Sequence, residues 1–518
     1  MRTPAPQPTT HRPAAAGARA ALPRAVRPPT SRRPARYVGV RAAGSATDGV
    51  EADVVVVGSG IVGLFAASEL LKAGLSVALL ERKGLCAGAT GAGQGYLWMA
   101  HRLPGSPGWA LSARSIALWR RLVEAEPGLK AGVEWQDVGS LLVSTTPEES
   151  ASLNERQLHL NEVGLRASYL DGRRMAEAEP GLRLPRGGAG LLVSSDLQIN
   201  GHACAHAMLE RCKAQPRFTQ LFGPEAEVQG LELAGSGSGH VVRTAAGRVT
   251  ARHALVMAAG VWSGALLSGA TGEPGWAALL QPRRGHLLEL PQPAHMPRVA
   301  HGMMEMSYTK HYATGGSAKA GGQQGAEPVD ITFTATTSAS GSLLIGSSRE
   351  FSGWDTNPSP AIVSAILERA AGFLPGLQPA AEAAAKVAAG GGAGAGAGTG
   401  GGAGALEGMT VRVGLRPYAV GGLPLVGPVE GAPGLFLAAG HEGSGLCMGP
   451  ATGELISRYV RKHIGATTGV KPPADAAAAM TAAGAPVKAA TGGGSSLDTQ
   501  SFEKLLPDVR RQAAAVKA

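Results

Sequence analysis

Ten residues constrain this chain more than any others: Val54-Val55-Val56-Val57-Gly58-Ser59-Gly60-Ile61-Val62-Gly63. The run Asp53–Val57 has no polar alternation, the pattern of a strand buried on both faces. Ile61–Ala73 repeats its apolar residues at helical spacing, and Ser76–Leu80 is a second apolar strand. Strand, glycine turn, helix and strand in about 30 residues make a βαβ unit with a right-handed crossover. Each glycine has its own task. Gly58 permits the tight turn, Gly60 lets the backbone approach a diphosphate, and Gly63 allows close helix–strand contact. The N–H groups around Ile61 and Val62, with the positive end of the helix dipole, attract phosphates. The second strand runs into Glu81, 18 residues beyond Gly63, where an acid accepts hydrogen bonds from ribose hydroxyls. Another GxGxxG match around 391–404 follows no strand and opens no helix, so it carries nothing.

The dinucleotide motif alone does not separate NAD from FAD. Arg82-Lys83-Gly84 leads into Ala87-Gly88-Ala89-Thr90-Gly91-Ala92-Gly93-Gln94-Gly95, a stretch almost without side chains. Such a backbone can press against a flat ring and offer N–H groups, which makes Arg82, Thr90 and Gly91 candidate cofactor contacts. No second well-placed fingerprint exists, which disfavours tandem FAD and NAD(P)H domains.

The chain carries +10, but residues 1–50 hold nine Arg against one Asp, so the remainder is close to +2. The excess belongs to an Arg-, Pro- and Ser-rich, acid-poor leader at 1–47, read as a plastid transit peptide with mitochondrion as the alternative. No nucleic-acid partner is therefore expected. Four scattered cysteines (Cys86, Cys204, Cys212, Cys447) include no CxxC pair, so neither a metal site nor a disulfide framework is indicated. No run reaches the roughly 20 apolar residues that span a bilayer.

Residues 313–328 and 388–405 are Gly/Ala-biased and read as low-complexity insertions, and 466–518 as a disordered tail with one amphipathic piece near Phe502–Val509, because such sequence buries too little to offset its ordering entropy. Strands are expected at Leu191–Ser194, Val241–Arg243, Arg248–Thr250 and Ala254–Ala258, and a helix at Ala203–Lys213. Further strands at Arg284–Leu290, Asp330–Thr337 and Ser342–Ser347 point to an antiparallel sheet. The expected fold is α/β: a Rossmann-type FAD-binding domain (52–100, 190–270 and 406–464) with a second α+β substrate domain (101–189 and 275–387) built on a mainly antiparallel sheet.

Further motifs lie along the chain: Ala258-Ala259-Gly260-Val261-Trp262-Ser263, Pro282-Arg283-Arg284-Gly285-His286, Gly341 to Glu350, Gly414-Leu415-Arg416-Pro417, and Gly440-His441-Glu442-Gly443-Ser444-Gly445 followed by Pro450-Ala451-Thr452-Gly453. With the fingerprint and Glu81, in this order from about 52 to 463, they resemble the FAD-dependent D-amino-acid oxidase superfamily. Within it they resemble the branch of glycine oxidase, D-hydroxyproline dehydrogenase and the hydrogen cyanide synthase subunit. The resemblance implies that Ala259 and Gly260 lie beside FAD, and that Gly440, Gly443, Gly445 and Leu446 belong to the loop and helix start facing the flavin pyrimidine ring. Arg416 matches the arginine that grips the substrate carboxylate in glycine oxidase. A second arginine of that branch falls at Gly443 here, and its usual Gln at His286. No residue matches the covalent tether of sarcosine-oxidase relatives, which implies non-covalent FAD.

The implied reaction moves a hydride equivalent from the carbon of a C–N bond to the flavin, giving an imine from a small amino acid or amine (D-amino acid, glycine or secondary amine type). Oxygen or another electron acceptor is then the second partner. The cofactor carries the electrons and the protein supplies position and field. A planar guanidinium suits a carboxylate, so Arg416 is the first catalytic candidate. His441 is the second, as a donor or cation near the flavin. Tyr308, Tyr312 and Tyr418 are possible pocket hydroxyls, and Trp98 and Trp262 either wall the flavin or fill core. Two other readings stand beside this one: a same-fold dehydrogenase acting on a hydroxy acid or alcohol, and a non-catalytic scaffold stabilised by FAD.

Overall fold

The βαβ unit forms where its residues require it, and a second sheet of equal strand number meets it at the cavity beside the glycine turn. The computed structural model describes residues 48–235, 239–309, 329–390, 406–469 and 505–507. The 1–47 leader, Tyr312, the 313–328 tract, nearly all of 388–405 and most of the tail lie outside the described residues. The elements that frame the site are, in chain order, β1 (Val50–Val57), α1 (Ile61–Lys72), β2 (Val77–Glu81), β3 (Gly247–Met257), β4 (Leu280–Leu290), β5 (Leu343–Arg349), α2 (Pro360–Phe373), β6 (Thr410–Ala419), β7 (Leu435–Ala439) and α3 (Gly445–Thr468).

The first sheet runs Leu425–Pro428, β7, β3, β1, β2, Phe218–Phe222. Along this path the pairs are parallel except the hairpin of Leu425–Pro428 with β7, and off it His240–Thr244 and Val228–Glu232 add antiparallel strands beside β3. Successive residues of β1 enter different cores: Val54 and Val56 pack with Leu64 and Phe65, Val55 and Val57 with Leu80 and Leu255. A strand covered on both faces has no place for a polar residue, which is why the run reads as unbroken valine.

Helix α3 lies against α1 at close range. A Cβ at Gly453 would stand 2.7 Å from the Phe65 backbone, so only hydrogen fits. Pro450 lies inside α3 and cannot donate to the carbonyl four residues back. That carbonyl, of Leu446, accepts instead from the Trp119 indole N–H at 3.0 Å. The freed acceptor is thereby satisfied.

The second sheet has eight strands in the order β6, β4, β5, Asp330–Thr337, Gly302–Glu305, Ser140–Val143, Gly190–Val193, Ala167–Leu170. All its pairs are antiparallel except Gly302–Glu305 with Ser140–Val143. One face is covered by α2, with Ile366 and Leu367 against Phe333 and Ile345. This is the fold class expected from the sequence.

Sheet membership differs from the sequence boundaries in two places. Gly190–Val193 and β6 both belong to the antiparallel sheet, although 190–270 and 406–464 were assigned to the cofactor half. An apolar run states that a strand is buried, not which sheet edge receives it; β6 pairs with β4 from Leu280↔Ala419 to Glu289↔Thr410. The expected strands Arg248–Thr250 and Ala254–Ala258 are one strand, β3, whose polar Arg252 faces outward to Asp53 at 2.8 Å. The tail also departs from expectation. Helix α3 continues to Thr468, and Leu505 is fully buried in the first core. Residues 388 and 389, read as part of an insertion, end the helix Gln378–Ala389.

Candidate active site

The turn after β1 is built from contacts that exclude side chains. Gly58 has φ +107 and donates its N–H to Leu80 O at 2.8 Å. A Cβ at Gly63 would stand 2.0 Å from Gly58 O, so the helix meets the turn without a spacer. Gly60 is different, since its Cβ would meet only Thr90 Oγ1 at 3.4 Å. Thr90 Oγ1 also accepts from the Ile61 N–H at 3.1 Å, satisfying one of the N–H groups a helix start leaves without intrahelical partners. Glu81 Oε2 accepts from Ser59 N and Oγ at 3.1 and 3.0 Å, and Oε1 from Lys83 N at 2.9 Å. A carboxylate has about four lone-pair sites, so acceptor capacity remains for a ribose hydroxyl.

One cavity of ≈ 330 Å³ joins this turn to the second sheet. Gly58, Gly60, Ile61, Val62, Glu81, Arg82 and Thr90 line its first part. Ala259, Gly260 and Trp262 line a second wall, and Gly443, Gly445 and Leu446 bring the start of α3 to a third. Gly260 has φ +57 with open space where a side chain would be. These bare backbones and two convergent helix N-termini suit a flat, doubly phosphorylated ligand such as FAD. Arg82 stacks over Trp262 at 4.7 Å and pairs with Glu227 at 3.1 Å.

Three expected cofactor residues do not line the cavity: Gly63, Gly91 and Gly440. Each is glycine for packing behind the wall. A Cβ at Gly91 would stand 2.7 Å from Cys86 O and the His202 ring, and one at Gly440 (φ +80) 2.7 Å from the Ala419 Cβ.

Arg416 lies on β6 and lines the cavity together with Gly285, His286, Tyr308 and Ser347. Its Nη1 donates to Ser348 O at 2.9 Å. Neighbouring arginines hold acids: Arg283 with Glu442, Arg284 with Glu350, Arg412 with Glu289. Among the described residues no carboxylate lies within ion-pair distance of Arg416. His286 is neutral. Burial, then Arg284 nearby, lowers it to about 4. Its Nε2 accepts from Ser359 N at 3.2 Å, which leaves the proton on Nδ1, bonded to Ser348 Oγ at 3.0 Å. In this position, where the related branch carries Gln, the ring ties β4 to the N-cap of α2.

His441 also lines the cavity, but not as a cation. Burial lowers it to about 3, so the imidazole is uncharged at neutral pH. Thr452 Oγ1 donates to Met448 O at 3.0 Å and so accepts from His441 Nε2–H at 2.9 Å. The next residue, Glu442, adopts φ +49, a conformation uncommon for a residue with a side chain. Burial pulls its carboxyl upward, yet Arg283, Arg349 and Arg416 together outweigh that and hold it below the usual carboxylate range. Arg283 and Glu442 carry no functional signal of their own in the sequence. Their pairing joins positions 159 residues apart, and no local pattern announces it.

Tyr308 reaches the cavity with Arg349 stacked on its ring at 3.6 Å. Tyr418 is buried behind the wall beside Arg283 and Phe351. Trp98 is core, stacked on Tyr96 at 3.7 Å, whereas Trp262 walls the cavity.

Residues 53–459 match the family described as FAD dependent oxidoreductase, DAO. The chain belongs to this family. Glycine oxidase from Geobacillus kaustophilus is 24% identical over 421 residues, covering 79% of this chain and 93% of the relative. Glycine oxidase from Pseudomonas aeruginosa is 28% identical over 423 residues, covering 78% and 93%. The crystal structure of the Geobacillus kaustophilus glycine oxidase has a TM-score of 0.61 at 24% identity, covering 80% of this chain and 95% of that one, a likeness of fold. The protein is thus an FAD-dependent oxidoreductase of the D-amino-acid oxidase superfamily, similar at this distance to glycine oxidases. No helix among the described residues is long and apolar enough to cross a membrane.

Proposed function

We propose that this FAD-dependent oxidoreductase oxidises the C–N bond of a small amino acid or amine (D-amino acid, glycine or secondary amine type) to the imine, with FAD held non-covalently. The observation that carries the reading is Arg416: a guanidinium on the cavity wall, beside acid-paired arginines, whose own hydrogen bond goes to a carbonyl. Such a group is left to bind a carboxylate bidentately and to orient the carbon beside it. The glycine oxidases among the relatives support the same substrate class.

FAD, when bound, accepts the hydride equivalent. The turn at Gly58 and Gly60 with the start of α1 would hold its diphosphate, and Glu81 its ribose. The start of α3 supplies N–H groups and a positive dipole end where negative charge develops. Neutral His441 contributes no charge. The reaction needs the substrate amine in its free-base form, and no residue is assigned as a dedicated base. Non-covalent attachment is supported by the wall itself. No cysteine lines the cavity, and both histidines that do are hydrogen-bonded through ring nitrogens. The 1–47 leader is proposed to direct the chain to the chloroplast, which a fluorescent fusion of that leader tests.

Anaerobic mixing of the FAD-loaded protein with amino acids, secondary amines and 2-hydroxy acids tests the proposal. Bleaching of the flavin bands by an amine or amino acid is expected. Bleaching by hydroxy acids alone, or by nothing, overturns it.

A further inference from the structure

The wall that carries Arg416 also carries an anion. Glu442 lines the same cavity, one residue before Gly443, where a Cβ would meet only the Arg416 side chain, at 4.0 Å. Its Oε1 accepts from Arg283 Nη1 at 2.9 Å, and 18% of its side chain stays accessible. The residue lines the cavity, so part of its surface opens into it. Its backbone is held at φ +49, a conformation that persists only where surroundings enforce it and that clusters at ligand sites. The enforcing contacts are visible. Arg283 is fixed by the Phe351 and Tyr418 rings at 5.3 and 5.5 Å, and His441, just before Glu442, is tied to Thr452.

We propose that Glu442 is the second pole of the substrate site, receiving the amino group of the molecule whose carboxylate Arg416 holds. The inference rests on the amino-acid reading above and deepens it: the site takes α-amino acids in preference to amines without a carboxylate and to acids without an amine. Arg416 and Glu442 present a cation and an anion on one cavity wall. An α-amino acid answers both, since its nitrogen donates N–H to Glu442 as the ammonium that binds and as the free base that reacts, whereas a simple carboxylic acid leaves Glu442 facing a ligand with no donor. Three positive groups face Glu442, namely Arg283 on β4, Arg349 on β5 and Arg416 on β6, and they keep it ionised. An ionised carboxylate accepts N–H bonds but gives no proton. Its role is therefore to bind and orient the amine, not to act as an acid.

The test compares two non-oxidisable acids of one carbon skeleton, 2-methylalanine and 2-methylpropanoic acid, which differ only in the amino group. Binding is read from the perturbation of the flavin absorbance of the FAD-loaded protein. The wild type is expected to prefer 2-methylalanine by about tenfold or more, the scale of a charge-assisted hydrogen bond. Glu442→Gln is expected to lose that preference while still binding 2-methylpropanoic acid, and Glu442→Asp to retain part of it. Equal binding of the two acids by the wild type overturns the proposal, as does equal weakening of both in Glu442→Gln, which marks a purely structural role. If amines bleach the flavin while the two acids bind alike, only this inference fails. If neither acid binds and no amine bleaches the flavin, the amino-acid reading fails with it. Should Glu442→Gln not load flavin, Glu442→Asp decides: a reduced preference for 2-methylalanine supports the proposal, and a preference equal to that of the wild type overturns it.

Discussion

The guanidinium of Arg416 lies across the face of Gly285 on the neighbouring strand, so that a Cβ at 285 would stand 2.5 Å from Arg416 Cζ. The two strands, β4 and β6, pair along their length with Arg283 opposite Arg416. A bare backbone at 285 is what gives the guanidinium its place on the cavity wall.

Gly285→Ala is therefore expected to displace Arg416 and raise KM for the amino-acid substrate by about tenfold or more, with FAD still bound. Arg416→Lys keeps the charge but loses the planar fork. Losing one charge-assisted bond of about 1.5–3 kcal/mol lowers kcat/KM by roughly 10- to 150-fold. Steady-state kinetics on both variants check this. An unchanged KM in Arg416→Lys would remove the arginine from substrate binding.

The fingerprint glycines separate folding from cofactor binding. Gly63→Ala drives a Cβ into Gly58 O and is expected to destabilise the protein by at least about 1–3 kcal/mol, the usual cost of overpacking. Gly60→Ala meets only Thr90 Oγ1 at 3.4 Å, so the chain should fold with reduced flavin content. Thermal melts and the flavin-to-protein absorbance ratio distinguish them. Equal flavin loading in Gly60→Ala and wild type would contradict the placement of the diphosphate.

Acid should destabilise the fold through its buried histidines. His441 titrates at about 3 in the folded protein, below its unfolded value of about 6.5. The unfolded chain then binds more protons between these values, so stability is complete above pH ~6.5 and declines as pH falls toward 3. At pH 5 the loss from His441 reaches at most about 2 kcal/mol. His286, lowered to about 4, acts in the same direction. Denaturant unfolding of wild type and His441→Asn from pH 7 to 5 measures it. The variant should show the shallower slope.

The tail segment is expected to behave as part of the core. Leu505 is fully buried in the first cluster, and Leu506 lies against Gly427, where a Cβ would stand 2.7 Å from its Cδ2. Leu505→Ala should cost about 2–5 kcal/mol, as for other buried leucines. Truncation after residue 469 should lower the melting temperature similarly. An unchanged melt in both would show that the segment does not dock.

Much of the cofactor half was legible because its signals are local. The valine run, three glycines and Glu81 lie within one βαβ unit, and two of their contacts close inside it: Gly63 against Gly58 O and Glu81 on Ser59. In the tail the sequence offers only the amphipathic piece near Phe502–Val509, and the burial of Leu505 within it depends on α3 and the Leu425–Pro428 strand, distant along the chain. The motif around His441 lines the cavity, and of the two roles open to the ring in the sequence, donor or cation, burial removes the cation. Only the surrounding burial makes that imidazole neutral.

Sequence by itself determined the nucleotide-binding turn, the family, and Arg416 as a residue of interest, since these follow from residue types at fixed spacing along one segment. Tertiary structure alone decided which glycines face the cavity and which pack behind it, and which arginines carry an unmatched charge. Arg283, Arg349, Arg416 and Glu442 come from three strands and a loop up to 159 residues apart. Electrostatic fields add in space rather than along the chain, so their balance exists only once both sheets are folded together.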